Sequence, residues 1–235
     1  TLNGLDRFRD VAVTRLSVEH GLASDTVLAV QARKNGSVWM GTVAGLQEWR
    51  DGRLQKNVFP TTPPTGSVGS ILEDARERLW VSSGLGLFYL TSGDSIQAVP
   101  EVPPGYVHAM AEQAGRTVWI SDQNKGLFRI DANRIQLIPW STFAGRIARA
   151  LAVDHDGGLW LGFVESGLAY FKNGRVERSL SAGDGLADGR VNDLYVDGSN
   201  AVWAATQKGL SRVTPSGVQT LHAEDGLPCG NVQWV

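Results

Sequence analysis

Apolar residues recur along this chain in short runs held to one register. Trp39, Trp80, Trp119, Trp160 and Trp203 stand 41, 39, 41 and 43 residues apart, and a Gly-Leu pair follows each at six or seven positions: Gly45-Leu46, Gly86-Leu87, Gly126-Leu127, Gly167-Leu168 and Gly209-Leu210. Twelve positions before the tryptophans lie Val27, Val68, Val107, Ala148 and Val191, and nine before lie Val30, Ile71, Met110, Leu151 and Leu194. Four past the glycines lie Trp49, Leu90, Ile130, Phe171 and Val213, with Phe8 in the same relation to Gly4. A period of about 40 residues identifies a repeat architecture, which decides the fold before any local motif is read.

Each repeat predicts four short strands. The first carries the apolar positions twelve and nine before the tryptophan. The second runs through Val38-Trp39-Met40, Leu79-Trp80-Val81, Val118-Trp119-Ile120, Leu159-Trp160-Leu161 and Val202-Trp203-Ala204, apolar on both faces. The third follows the Gly-Leu pair, and the fourth, the most polar, follows turns at Asp51-Gly52, Asn173-Gly174 and Ser216-Gly217, residue types that suit tight hairpins. One such antiparallel sheet cannot bury both faces alone. Stacked radially, sheets of this kind form an all-β β-propeller of four-stranded blades. Leucine-rich repeats are too short to compete, and tetratricopeptide and HEAT repeats need long helices that the glycine punctuation and β-branched runs exclude. The tryptophans then read as packing anchors between blades, with a carbohydrate-stacking platform as the alternative.

The register divides the chain into the outer strands of an incomplete blade (1–20), five complete repeats (21–60, 61–100, 101–140, 141–182 and 183–222) and the start of a further blade (223–235). The expectation is a partial propeller, a segment of a longer protein, whose unpartnered strand edges invite self-association.

Composition narrows the functional classes. The 235 residues are 42% hydrophobic and 20% charged with a net charge of −2, so no charge excess attracts nucleic acid or an anionic membrane. No run approaches the roughly 18–20 apolar residues of a membrane span, and the N-terminus lacks a signal-peptide layout. The lone Cys229 permits no internal disulfide and no multi-cysteine metal site. Of the four histidines, His20 and His155 fall in turns, His222 ends an outer strand, and His108 falls in an innermost strand near the propeller axis. No Ser-His-Asp order, phosphate-cradling glycine loop or metal-ligand spacing emerges; the expectation is a non-enzymatic protein without metal or cofactor. The triplet His155-Asp156-Gly157 reads as a β-turn.

The segments "GLASDTVLAVQARKNGSVWMGTVAGLQEWRDGRL" and "GLADGRVNDLYVDGSNAVWAATQKGLSRV" resemble the two-component regulator propeller repeat, whose pattern is Gly-Leu-Pro, a Val-x-x-Ile strand, Asp-x-x-Gly-x-Leu-Trp, Gly-Thr and then Gly-Leu. The likeness covers nearly the whole chain, with Asp154 to Gly162 as the best local match and Gly226-Leu227-Pro228 keeping the opening proline. Middle repeats depart: "PTTPPTGSV" and "EVPPGYV" replace the opening Gly-Leu, and Glu77, Arg116 and Asn200 stand where the turn glycine is usual. The resemblance implies the periplasmic or otherwise extracytoplasmic sensor of a membrane-bound receptor, ahead of a histidine kinase or diguanylate cyclase, and many such sensors respond to saccharide breakdown products. Streptogramin lyases are also similar in the Asp-Gly-x-Leu-Trp pentad. That likeness implies an acid/base histidine and metal-binding acids at the channel mouth, where this chain offers His108. A structural or protein-binding propeller is the third class.

Thirteen and eleven positions before the tryptophans the repeats stop agreeing: Thr26 and Leu28, Ser67 and Gly69, Tyr106 and His108, Ile147 and Arg149, Arg190 and Asn192. These positions, with Asn231 and Gln233 of the last repeat, line the expected channel mouth. The second-to-third-strand loops add Asp122, Gln123, Asn124, Lys125, Glu165, Gln207 and Lys208. Variation confined to one ring of a regular scaffold is what a grafted site looks like. Tyr106, His108, Lys125, Arg149, Arg190, Asn192 and Lys208 are therefore the candidate lining for a small polar ligand, an oligosaccharide or sugar acid, with Asp122 and Glu165 as acids able to neutralise the cations internally.

Overall fold

A computed structural model describes residues 5–8, 13–55, 66–91, 96–132 and 134–235, with no side-chain description for 5–8, 13 and 14. Gly4, the side chain of Phe8 and most of the "PTTPPTGSV" segment thus lie outside the described residues. The chain divides into two compact units, Thr1–Val107 and His108–Val235.

In the first unit β1 (Leu5–Phe8) pairs with β2 (Val13–Leu16). Next comes a meander of β3 (Val27–Ala32), β4 (Val38–Thr42), β5 (Gly45–Arg50) and β6 (Arg53–Leu54). A second meander follows, of β7 (Val68–Glu73), β8 (Leu79–Ser83), β9 (Gly86–Leu90) and β10 (Ile96–Ala98). The second unit holds three more: β11 (Val107–Gln113), β12 (Thr117–Asp122), β13 (Gly126–Asp131) and β14 (Arg134–Pro139); β15 (Ala148–Val153), β16 (Leu159–Phe163), β17 (Leu168–Lys172) and β18 (Arg175–Leu180); and β19 (Val191–Val196), β20 (Val202–Thr206), β21 (Gly209–Thr214) and β22 (Gly217–Leu221). All neighbouring strands in these sheets run antiparallel in sequence order, and the helical residues are single 3-10 turns such as Trp140–Phe143. Residues 227–235 carry no strand, although the Val232 amide donates to the Thr206 carbonyl at 2.9 Å.

Burial explains the meander. The second strands are covered on both faces: β8, β12 and β16 are buried at every position. Trp39, Trp80, Trp119 and Trp160 are all at most 7% exposed, which makes them packing anchors and removes the sugar-stacking alternative for those four. Trp160 packs with Leu168, Val191, Leu194 and Val202, joining two successive sheets of the second unit, and Trp119 does the same with Leu159, Leu161 and Phe171. Outer strands β14 and β18 alternate exposed and half-buried positions instead. Val30 departs from the expected apolar register, being 47% exposed.

Sheets approach closely because the residue two past each tryptophan is small. A Cβ on Gly162 would lie 2.4 Å from Val191 Cγ1, and one on Gly41 would lie 2.6 Å from the Val68 carbonyl oxygen. Any larger side chain would separate β16 from β19, or β4 from β7. In the third repeat Ser121 fills this place and donates its hydroxyl to the Ala148 carbonyl.

At the opposite end of the tryptophan strands, an acceptor six positions earlier organises the hairpin between first and second strands. Asp74 accepts from the amides of Arg76 (2.9 Å) and Arg78 (3.0 Å) and from the Trp80 indole (2.8 Å). Asp197 repeats this with Ser199, Ala201 and Trp203, and Gln113 supplies the acceptor for Trp119 at 2.9 Å. Asp154 accepts from the amides of Asp156 and Gly158, which makes His155-Asp156-Gly157 the turn that the register predicted. These turns also clamp neighbours: Arg33 pairs with Glu73 at 2.8 Å, and Asn200 with Asp156 at 3.1 Å. Glu77 and Asn200 take the left-handed conformation of the missing turn glycine, whereas the third repeat shifts the strain from Arg116 to Ala114 and Gly115. Asp51-Gly52 and Asn173-Gly174 both have positive φ, as primed hairpin turns require. The last turn is corrected: Pro215 and Ser216 span it, and Gly217 opens β22 opposite Thr214. Proline's fixed φ suits the first central position of that turn.

Trp160→Ala is expected to cost about 3–5 kcal/mol through lost burial and a residual cavity. Gly162→Val is expected to cost about 1–3 kcal/mol by overpacking against Val191. Denaturant unfolding checks both; a loss below about 1 kcal/mol for Trp160→Ala contradicts the anchoring role.

Candidate functional site

The innermost strands share an irregularity that the sequence pattern does not display. Their ladders shift register between Val27 and Ala29, Val68 and Ser70, Ala148 and Ala150, and Val191 and Asp193. Leu28, Gly69, Arg149 and Asn192 are thereby each left over as the extra residue of a β-bulge, which re-aims its side chain. These are the positions at which the repeats stop agreeing. The same register position in β11 belongs to His108.

In the second unit the strand starts bring several of the candidate residues together. His108 is held below the ordinary histidine pKa first by burial and then by the nearby Arg149 charge, with Asp122 opposing both. The pKa of Arg149 is lowered by burial and by Arg190, and its Nε is buried without a hydrogen-bond partner. The Arg190 Nε donates to Asn192 Oδ1 at 3.1 Å, while Asn192 Nδ2 donates to the Val232 carbonyl at 2.8 Å and to Asn231 Oδ1 at 3.1 Å. Gln207 accepts from the Arg190 amide at 3.2 Å.

The remaining candidates stand differently. Asp122 is 1% exposed and accepts from the Asn124 and Lys125 amides at 2.9 and 2.8 Å, shaping the β12–β13 turn. Lys125 and Glu165 are exposed. Lys208 is committed to Asp188 at 2.8 Å. Tyr106, in the first unit, is 62% exposed. His20 and His222 are tied locally, to Ser17 Oγ at 2.8 Å and to the Lys208 carbonyl at 2.9 Å. Among the described residues no group of three or more His, Cys, Asp or Glu is arranged to hold a metal ion.

The sequence reading passed over one group here: Asp193, beside the Asn192 bulge, whose pKa is raised by burial against hydrogen bonds from the Val235 and Leu194 amides. Its position was visible, but its burial depends on what packs around β19. A cavity of about 530 Å³ in the same unit is lined by Trp119, Arg129, Gln136, Phe171 and Lys172, among others. Its Arg129 lies 3.0 Å from Asp131, although its Nε, like that of Arg149, makes no hydrogen bond of good geometry.

Comparison with solved structures establishes the fold. The chain is similar to a structure described as the extracellular domain of a hybrid two-component system from B. thetaiotaomicron, at 21% identity and a TM-score of 0.76. That match covers 89% of this chain and 30% of the other, so the chain spans less than a third of that protein's length. It is similar to a streptogramin B lyase at 15% identity and a TM-score of 0.75, covering 94% of this chain and 76% of the lyase. The Cps50 (Swd1) β-propeller domain of Myceliophteria thermophila matches at 12% identity and a TM-score of 0.65, over 86% of this chain and 72% of that one. The sheets are thus β-propeller blades. No protein-family model and no curated protein sequence matches the chain.

His108 is expected to titrate below the ordinary value of about 6.5. Because the unfolded chain then binds more protons than the folded one in that interval, His108 makes stability fall as pH drops below about 6.5. Arg149→Gln, by removing a repelling charge, raises the His108 pKa; ring-proton NMR titration of the two proteins measures the shift, and an unchanged value contradicts the placement of Arg149 beside His108.

Proposed function

We propose that this chain is the ligand-sensing propeller segment of a membrane-bound receptor, working outside the cytoplasm and binding a small polar ligand, an oligosaccharide or sugar acid. The ligand sits where the innermost strands of the second unit begin, against His108, Arg149, Arg190 and Asn192, with Lys125 and Lys208 completing the lining. The observation that carries this reading is the pair of neighbouring guanidinium groups placed at or beside β-bulges, one with a buried, unsatisfied Nε. Folding does not need it: sister positions hold Leu28 and Gly69. A polar cluster that the scaffold can do without is retained for something it binds. The fold shared with an extracellular two-component domain supports the sensor role and its location. No helix among the described residues is long and apolar enough to cross a membrane, so in this reading a span and the kinase or cyclase output belong to other parts of the receptor.

The fold shared with streptogramin B lyase favours a second reading, an elimination catalysed through His108. Incubation of the chain with a streptogramin and a divalent cation separates the two. The sensor reading expects no elimination product; turnover lost in His108→Ala overturns it.

A thermal-shift screen of neutral and acidic saccharides, run on the chain and on an Arg149→Ala/Arg190→Ala variant, tests the site. A ligand at about 100 times its Kd stabilises by about 2.7 kcal/mol, and that stabilisation is expected to vanish in the variant. Equal stabilisation of both proteins moves the site elsewhere, and a screen without hits removes the sensor reading.

A further inference from the structure

The strand starts of the second unit carry an unbalanced charge. Arg149 and Arg190 both remain cationic at neutral pH and are close enough for Arg190 to act on Arg149. Neither forms an ion pair with an acid among the described residues, whose pairs lie elsewhere. Among the described residues no nearby acid is in direct contact with either guanidinium. Asp122 spends one oxygen on two turn amides, Asp188 holds Lys208, and Asp193 accepts from the Val235 amide at 3.2 Å. Glu165 is exposed and unpaired. A desolvated cationic donor left unmade is costly, and Arg149 carries one beside a second guanidinium.

Resting on the ligand-sensing reading of this same site, we infer that these strand starts form a receptor for the carboxylate of a small monoanion, such as a uronic acid, with Arg149 as its anchor and Arg190 as the second cation. The charge decides for a monoanion. Among the charges that act on His108 and Arg149, two guanidinium groups and the Asp122 carboxylate, which acts through its field without a direct pair, leave one positive charge, and burial and Arg149 both oppose protonation of His108. A sulfate or phosphate dianion would overshoot that balance in a half-buried setting. Geometry agrees, since a guanidinium fork matches the two coplanar oxygens of a carboxylate. Asn192 is a positioning residue. Its amide nitrogen is used on Val232 and Asn231 and its oxygen on Arg190, so it aims the Arg190 fork without a donor to spare for the ligand.

Titration of the ¹⁵N-labelled chain with glucuronate, glucose and sulfate, followed through the arginine Nε–H resonances, tests this. Glucuronate is expected to bind at least about tenfold more tightly than glucose and to shift the Arg149 resonance, as a charge-assisted hydrogen bond implies. Arg149→Gln, and equally the charge-keeping Arg149→Lys, are expected to lower glucuronate affinity about tenfold or more and to remove the preference for glucuronate over glucose. Should either variant fold poorly, the resonance shift in the unaltered chain carries the test. Equal affinity for glucuronate and glucose, stronger binding of sulfate, or an unmoved Arg149 resonance overturns the carboxylate assignment. Glucose binding lost in the Arg149→Ala/Arg190→Ala variant, with no preference for glucuronate, would do so while leaving the ligand-sensing reading intact; binding of none of the probes overturns both.

Discussion

Every blade depends on the burial of one strand between two neighbours. The tryptophan strand is covered on both faces, and its indole fills the gap to the next sheet: Trp119 against Leu159 and Phe171, Trp160 against Val191 and Leu194. Each buried ring removes enough apolar surface from water to be a dominant local term. It works only at short range, which is why glycine, serine or alanine stands two positions on. At Gly41 and Gly162 the incoming valine occupies the space that a Cβ would need. Large and small residues two apart thus set the spacing of the stack.

The same strand is anchored at its other end by polar chemistry. Indole N–H groups are buried, and a buried donor needs an acceptor. Asp74, Gln113 and Asp197 supply one while ordering the adjoining hairpin. Asp197 is held well below the usual carboxylate range by Ser199 and Trp203, so it stays ionised where its acceptor role is needed. At these hairpin ends the Trp80, Trp119 and Trp203 indoles are matched, whereas the strand start at Arg149 carries an unmatched Nε.

The bulges connect scaffold to site. An extra residue in β3, β7, β15 and β19 frees one side chain from the ladder without disturbing the buried valine or alanine beside it: Val27, Val68, Ala148 and Val191 stay at or below 9% exposure. The scaffold is thereby insulated from what the bulge displays, so Leu28, Gly69, Arg149 and Asn192 can differ while the fold repeats. Unlike residues in a regular ladder, those at a bulge are free to serve a ligand.

The sequence by itself determined the repeat, its four strands, the buried anchors and the positions where variation concentrates, because each of these rests on local spacing of apolar residues and turn formers. Asp154 stood in a recognisable motif, yet the bond from its sister Asp74 to Trp80 closes a hairpin whose geometry spacing alone does not state. Tertiary structure decided which candidates meet. Lys208 looked as available as Arg149, but Asp188, twenty positions earlier, takes its charge, while Arg149 lies within the field of Arg190 from the next sheet and pairs with no acid. Ion pairing depends on distances between chain segments far apart in sequence, and burial depends on everything packed around a side chain; neither quantity is a property of a residue or its neighbours in the chain.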